Sequence, residues 1–133
     1  MILIDTSILV PLFREKGTRR REEFRAFMQG GRFVLTRFTQ TELMQGCASE
    51  AEWEQLHYYL ERQDYVEIEP DGWVDAARIV FDLRRTGKTV RSIFDCCIAQ
   101  IAIENRLTLV HNDKDFETIA QVRQLRHRRL DLQ

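Results

Sequence analysis

The chain has 133 residues, 44% of them hydrophobic and 31% charged, with 6 Gly and 2 Pro. That is the size and composition of one folded globular domain, and it excludes the disordered, collagen-like and low-complexity classes. Lys and Arg number 20 against 21 Asp and Glu, a formal net charge of −1, so bulk charge alone does not mark a nucleic-acid binder.

No apolar run approaches the roughly 20 residues that span a bilayer. Met1–Ile4 runs into Asp5 with no basic segment ahead of it, so neither a signal peptide nor a membrane span is expected. Three cysteines, with Cys96 and Cys97 adjacent, offer no unstrained disulfide. Free thiols in a reducing cytoplasm are the expectation. Nothing in the spacing of Cys and His fits a zinc site.

In chain order, Met1–Ile4 has the length of a short buried strand and ends on a carboxylate. Ser7–Phe13 predicts a short helix. Arg14–Arg21 reads as a charged loop holding Gly17, then a helix follows from about Arg21 to Gln29, stopped by Gly30-Gly31. Phe33–Leu35 is a second strand. Helices are predicted over Thr39–Ala48 and Glu50–Arg62, the latter amphipathic through Trp53, Leu56, Tyr59 and Leu60. Tyr65–Ile68 reads as a strand. A helix from Trp73 to Arg85 carries Val74, Ala77, Phe81 and Arg84 on successive turns. Another runs from Ser92 to Asn105, then a strand at Leu107–Val110 and a helix at Phe116–Val122. Short apolar strands alternating with helices predict an α/β domain, a mainly parallel sheet covered on both faces.

In such a sheet, ligands bind outside the carboxyl ends of the strands. Asp5 directly follows the first strand, and Asp113 and Asp115 follow the last. Each can also serve as a helix cap, a role Asp fills well. Asp95 is harder to account for. Ile98, Ala99 and Ala102 stand three, four and seven residues beyond it, on one helical face. A carboxylate on an apolar stripe is costly unless it is paired or bound to a metal. The competing explanation is a capping box, Ser92 to Asp95, in which the acid reaches back to the cap N–H. Glu42 lies in the first turn of a helix, where the helix dipole favours a Glu.

One hypothesis covers all of these acids: they converge on a hard divalent cation. Mg²⁺ takes oxygen ligands and keeps several waters, and such sites hydrolyse phosphodiesters well. Basic runs at Arg19–Arg21 and at Arg126, His127, Arg128 and Arg129, with Arg85, Lys88 and Arg91 beside the helix of Asp95, are either solvated surface or phosphate grips. Arg126, Arg128 and Arg129 are the candidate RNA contacts, since an acidic pocket needs positive charge nearby to attract a polyanion. His111 is a weaker candidate for proton transfer. Trp53, Tyr58, Tyr59 and Trp73 are expected in core or dimer contacts.

The segments Met1 to Leu9, Thr41-Glu42-Leu43, Asp95 to Ala99 and Val110 to Phe116 together resemble the PIN-domain family, and within it the VapC toxins of bacterial toxin–antitoxin pairs. The match runs nearly end to end. The resemblance implies a three-layer α/β/α domain over residues 1–133 and an endoribonuclease dependent on Mg²⁺, with Mn²⁺ able to substitute. It implies Asp5, Glu42, Asp95 and Asp113 as the catalytic quartet, and Asp5, Asp95, Asp113 and Asp115 as candidate metal ligands. Thr6 and Ser7 become supporting polar groups. The implied partners are a small VapB-type antitoxin, an RNA substrate, a second copy in a homodimer, and promoter DNA through the antitoxin alone, with no membrane. Cys96-Cys97 is a mild departure from the family pattern and raises the question of oxidation. Rival readings are a receiver-like phospho-accepting domain and a catalytically silent PIN-like RNA-binding module. Asp5 lacks the acidic partner a receiver carries, and the intact quartet disfavours a silent module.

Overall fold

The computed structural model describes residues 1–15 and 18–132; Gly17, where a loop is predicted, lies outside them. The elements run β1 (Ile2–Ile4), α1 (Thr6–Arg14), α2 (Arg19–Met28), β2 (Phe33–Val34), α3 (Arg37–Gln45), α4 (Glu50–Glu61), α5 (Gly72–Arg85), α6 (Ile93–Glu104), β3 (Thr108–His111), α7 (Lys114–Ile119) and β4 (His127–Arg129). The strands form one parallel sheet in the order β2-β1-β3-β4. Leu3 pairs with Val34 on one side and with Leu109 on the other.

Side chains alternate across a strand, so each strand feeds two cores. Leu3, Val34 and Leu109 pack with Ile79 and Leu83 of α5, with Ile98, Ile101 and Ala102 of α6, and with Phe116 and Ile119 of α7. Ile4, Leu35 and Val110 pack on the opposite face with Ile8, Leu9 and Leu12 of α1, Leu43 and Met44 of α3, and Leu60 of α4. That is the expected three-layer α/β/α arrangement. β1 lies between β2 and β3, so the chain steps from β1 to β2 in one direction and then crosses back past β1 to reach β3. The reversal of strand order puts a crevice at the carboxyl ends of β1 and β3.

Three expectations are corrected, and one element is added that the sequence did not signal: within the basic run Arg126–Arg129, His127–Arg129 is the edge strand β4, paired through Leu109–His127 and Val110–Arg128. Tyr65–Ile68 is not a strand; Tyr65 makes an isolated parallel bridge to Leu35, and Val66 and Ile68 turn into the core without a continuing ladder. On α5 the buried face is Ala76, Ile79 and Leu83, whereas Val74 and Phe81 are 73% and 49% exposed. Of the core or dimer contacts expected for Trp53, Tyr58, Tyr59 and Trp73, the core half is overturned, since all four are exposed.

Gly72 lets the start of α5 approach the end of α6. A Cβ there would overlap the Glu104 carboxylate and come within 2.7 Å of Ile68 Cγ1. Glu104 cannot move freely, because its Oε2 accepts the Glu69 N–H at 3.1 Å. Gly72→Ala is therefore expected to destabilise the fold by about 1–3 kcal/mol, the usual range for overpacking, measured by urea unfolding. Unchanged stability would show that Ile68 and Glu104 yield without cost.

Candidate functional site

Three local rules build the site. Asp5 is the N-cap of α1: its Oδ2 accepts the Ser7 N–H at 3.0 Å and the Ser7 hydroxyl at 2.6 Å. Asp113 caps α7, its Oδ1 accepting the Asp115 N–H at 2.9 Å. Ser7 joins the two strand ends, because its oxygen also accepts the Asn112 N–H at 2.8 Å. Both capping roles foreseen for these acids are real, yet they do not exhaust the carboxylates. Asp5 is also favoured in its charged form by the Thr6 backbone N–H, yet burial outweighs these bonds.

The capping box foreseen for Asp95 does not form. Ser92 Oγ accepts the Phe94 N–H at 3.1 Å, and the Asp95 carboxylate does not reach back to the cap. Asp95 is half-buried, and among the described residues its carboxylate accepts no hydrogen bond and pairs with no cation. Its neighbours are acids instead: one oxygen each from Asp95, Asp113 and Asp115 lie within 4.8 Å of one another. Burial, then the charges of Asp5, Asp113, Asp115 and Glu42, push the Asp95 carboxyl up to about 7.

Asp5, 4% exposed, is likewise raised, by burial above all, with the Ser7 hydrogen bonds acting in the other direction. Glu42 is raised by burial and then by the charge of Asp5. Thr6 Oγ1 lies 3.2 Å from Thr39 Oγ1 and 3.4 Å from Glu42 Oε1, tying α1 to the acid on α3. Asp5, Glu42, Asp95, Asp113 and Asp115 thus lie within one another's field, while the tight cluster consists of Asp95, Asp113 and Asp115.

Other candidates land differently. His111 is fully buried; its Nδ1 accepts the Asp113 N–H at 3.1 Å and its Nε2 meets His127 Nδ1 at 2.9 Å. Burial and His127 push it down to about 4, so it is a neutral strut that positions Asp113, and its ring nitrogens are both engaged. Cys96 is buried, and burial first and the Asp95 charge next push its thiol up to about 12, away from the reactive thiolate form. The alternation of β4 separates its arginines. Arg128 lies over the Phe27 ring, 4.8 Å from its centre, whereas Arg129 reaches Asn112 Oδ1 at 3.0 Å and Glu117 Oε1 at 3.2 Å. Thr39 and the Asn112 N–H enter the site without any distinctive sequence signal. Arg91, grouped in sequence with other basic residues, sits directly on Asp113 and Asp115.

Three clustered carboxylates, all hard oxygen donors, fit a divalent cation such as Mg²⁺. The PIN domain model matches residues 2–122. The chain belongs to the PIN-domain family. It is 36% identical over 132 residues to the ribonuclease VapC11 of Mycobacterium tuberculosis and to a VapC ribonuclease of Mycobacterium bovis, covering 94% of this chain and 96% of each relative. In fold it is similar to VapBC2 of Rickettsia felis, solved bound to a promoter DNA fragment, with a TM-score of 0.78 at 19% identity over 98% of this chain and 100% of the other. It is also similar to VapBC-1 of nontypeable Haemophilus influenzae, with a TM-score of 0.73 at 21% identity over 97% and 98% of the two chains.

The raised carboxyl of Asp95 fixes the sign of its contribution to stability. The fold binds this proton more tightly than the unfolded chain, whose Asp titrates near 4. The charged form therefore costs stability increasingly as pH rises from about 4 to about 7. In EDTA at pH 7, Asp95→Asn is expected to raise the Tm by about 3 °C or more, with the gain fading as pH falls towards 4. Calorimetric melts across that range check it; a lowered Tm at pH 7 would mean that the carboxylate is compensated within the fold.

Proposed function

We propose that this protein is a VapC-type endoribonuclease toxin, one PIN domain over residues 1–133, which hydrolyses RNA phosphodiester bonds at the acid cluster with Mg²⁺ or Mn²⁺. The observation that carries the reading is Asp95, a half-buried carboxylate with no donor partner, held against Asp113 and Asp115. The ribonuclease relatives, 36% identical over almost the whole chain, support it.

In this reading Asp95, Asp113 and Asp115 hold the cation, with Asp5 beside them. A bound dication lowers the pKa of a water and neutralises charge on the scissile phosphate. Ser7 fixes the Asp5 carboxylate between the strand ends. Glu42, with raised proton affinity and Thr6 beside its Oε1, is fitted to orient the attacking water and accept its proton. We assign Arg126, Arg128 and Arg129 to RNA phosphates, contacts that position a strand without reading its sequence. The three free cysteines accord with a reducing cytoplasm, and among the described residues no helix is long and apolar enough to cross a membrane.

Two surfaces support the proposed partners. On α5 and the start of α6, Trp73, Val74, Phe81, Ile93 and Phe94 are all 44% exposed or more, which fits a homodimer contact. The second surface lies on α2, which buries no residue, and α4, which buries only Leu60 and leaves Trp53 and Tyr58 exposed. We assign this surface to a VapB-type antitoxin, with promoter DNA reached only through it. Its inhibitory group is an Arg or Lys directed at Asp5 and Asp95, since a guanidinium pairs with carboxylates in a planar fork.

Cleavage of RNA is expected only with Mg²⁺ or Mn²⁺, and Asp5→Asn or Asp95→Asn should abolish it while circular dichroism stays native. Undiminished cleavage by folded Asp95→Asn, or in EDTA, would sink the mechanism. Antitoxin and cation should also oppose each other, each weakening the other by the same factor. Calorimetry of antitoxin binding at rising Mg²⁺ reads this; an affinity that stays flat through metal saturation would leave only steric blocking of RNA.

A further inference from the structure

Arg91 stands immediately before the α6 cap, four residues ahead of Asp95, and among the described residues it is the cation in contact with the acid cluster. Its Nη2 donates to Asp113 Oδ1 at 2.8 Å and its Nε to Asp115 Oδ2 at 3.1 Å. Its backbone N–H donates to the same Asp115 oxygen at 3.2 Å. The Arg91 side chain is 71% exposed, whereas the side chains of Asp113 and Asp115 are 18% and 6% exposed. One fork therefore spans two of the three acids that a cation would use.

We propose that Arg91 is a displaceable counter-ion of this cluster, which leaves Asp113 and Asp115 when a divalent cation binds and then takes a phosphate of the RNA substrate. The inference rests on reading the cluster as the cation site. Two positive groups a few ångströms apart repel, and both seek the same two carboxylates, so their occupancies oppose each other. Release is favoured because most of the Arg91 side chain is already in water, so little burial is lost when it leaves. It does not undo the loop either: the Arg91 N–H keeps its hold on Asp115 when the side chain leaves. A planar fork that fits a carboxylate also fits two phosphate oxygens, and a lysine does not match it. The swap thus turns a group that calms the acids into one that attracts a polyanion at the mouth of the pocket.

Nitrogen-detected NMR of the arginine side chains in the whole chain, assigned with Arg91→Lys, tests this during a Mg²⁺ titration followed in parallel by calorimetry. The Arg91 Nε–H signal is expected to start restricted and protected, and to move to free-arginine values with the same midpoint as the binding heat. Arg91→Ala and Arg91→Lys should both tighten Mg²⁺ binding, by about fivefold or more for Ala, in the range of ordinary coupling between sites. With Mg²⁺ saturating, both should weaken binding of a non-cleavable 2′-O-methyl RNA. An Arg91 signal unmoved at Mg²⁺ saturation, or unchanged Mg²⁺ affinity in the variants, overturns the release while leaving the cation site standing. Tighter Mg²⁺ with unaltered RNA affinity overturns the phosphate role. Absence of any Mg²⁺ binding to wild type overturns the proposal together with the reading beneath it.

Discussion

Mutual repulsion among carboxylates is the constraint on which the rest of this molecule depends. Five acids share one field at the carboxyl ends of β1 and β3, and none of the raised groups owes its shift to charge alone: burial comes first for Asp5, Glu42 and Asp95. Burial and like charge act in the same direction, so the arrangement opposes folding at neutral pH. Something in the scaffold must hold these side chains where they would not gather unaided. That task falls to the two cores on either side of the sheet, which are continuous through Leu3 and Leu109 on one face and Ile4 and Val110 on the other.

The holding is done by ordinary local devices used twice. Asp5 and Asp113 cap helices, so each is placed by the same bonds that start α1 and α7. Ser7 makes the two caps into one unit by receiving the Asn112 N–H while donating to Asp5. His111 adds a fixed acceptor for the Asp113 N–H from beneath, and its own orientation is set by His127 on β4. The edge strand thereby contributes to the site without placing a ligand in it. Asp95 has no such local tie, because the α6 cap is completed by Ser92 on Phe94. Position in the helix alone carries it into the cluster.

Much of this was legible in the residues. The apolar stripe of Ile98, Ala99 and Ala102 singled out Asp95, since helical spacing converts directly into a shared face. The strand-end rule located Asp5 and Asp113. What failed had physical causes. β4 is two-thirds Arg and has no apolar period; its place is decided by pairing to β3 and by His127 meeting His111, both long-range. On α5, Val74 and Phe81 compete with Ile79 and Leu83 as apolar groups, so the side chains alone did not single out the inward face. The inward one packs closely against α6, an approach that Gly72 permits because a Cβ there would meet Glu104 and Ile68. Arg91 was visible only as one of several basic residues, because an ion pair to residues 22 and 24 positions away leaves no local trace.

The same misread face of α5 also separates the work of stability from that of assembly. While Ile79 and Leu83 anchor α5 in the core, its outward Trp73 meets Phe38 edge-on, 6.0 Å between ring centres, and Phe38 in turn meets Phe94 at 5.1 Å. Phe94 is the residue before Asp95. The outer aromatic surface and the acid cluster are therefore carried by neighbouring residues of one rigid helical turn, roughly 100° apart around α6.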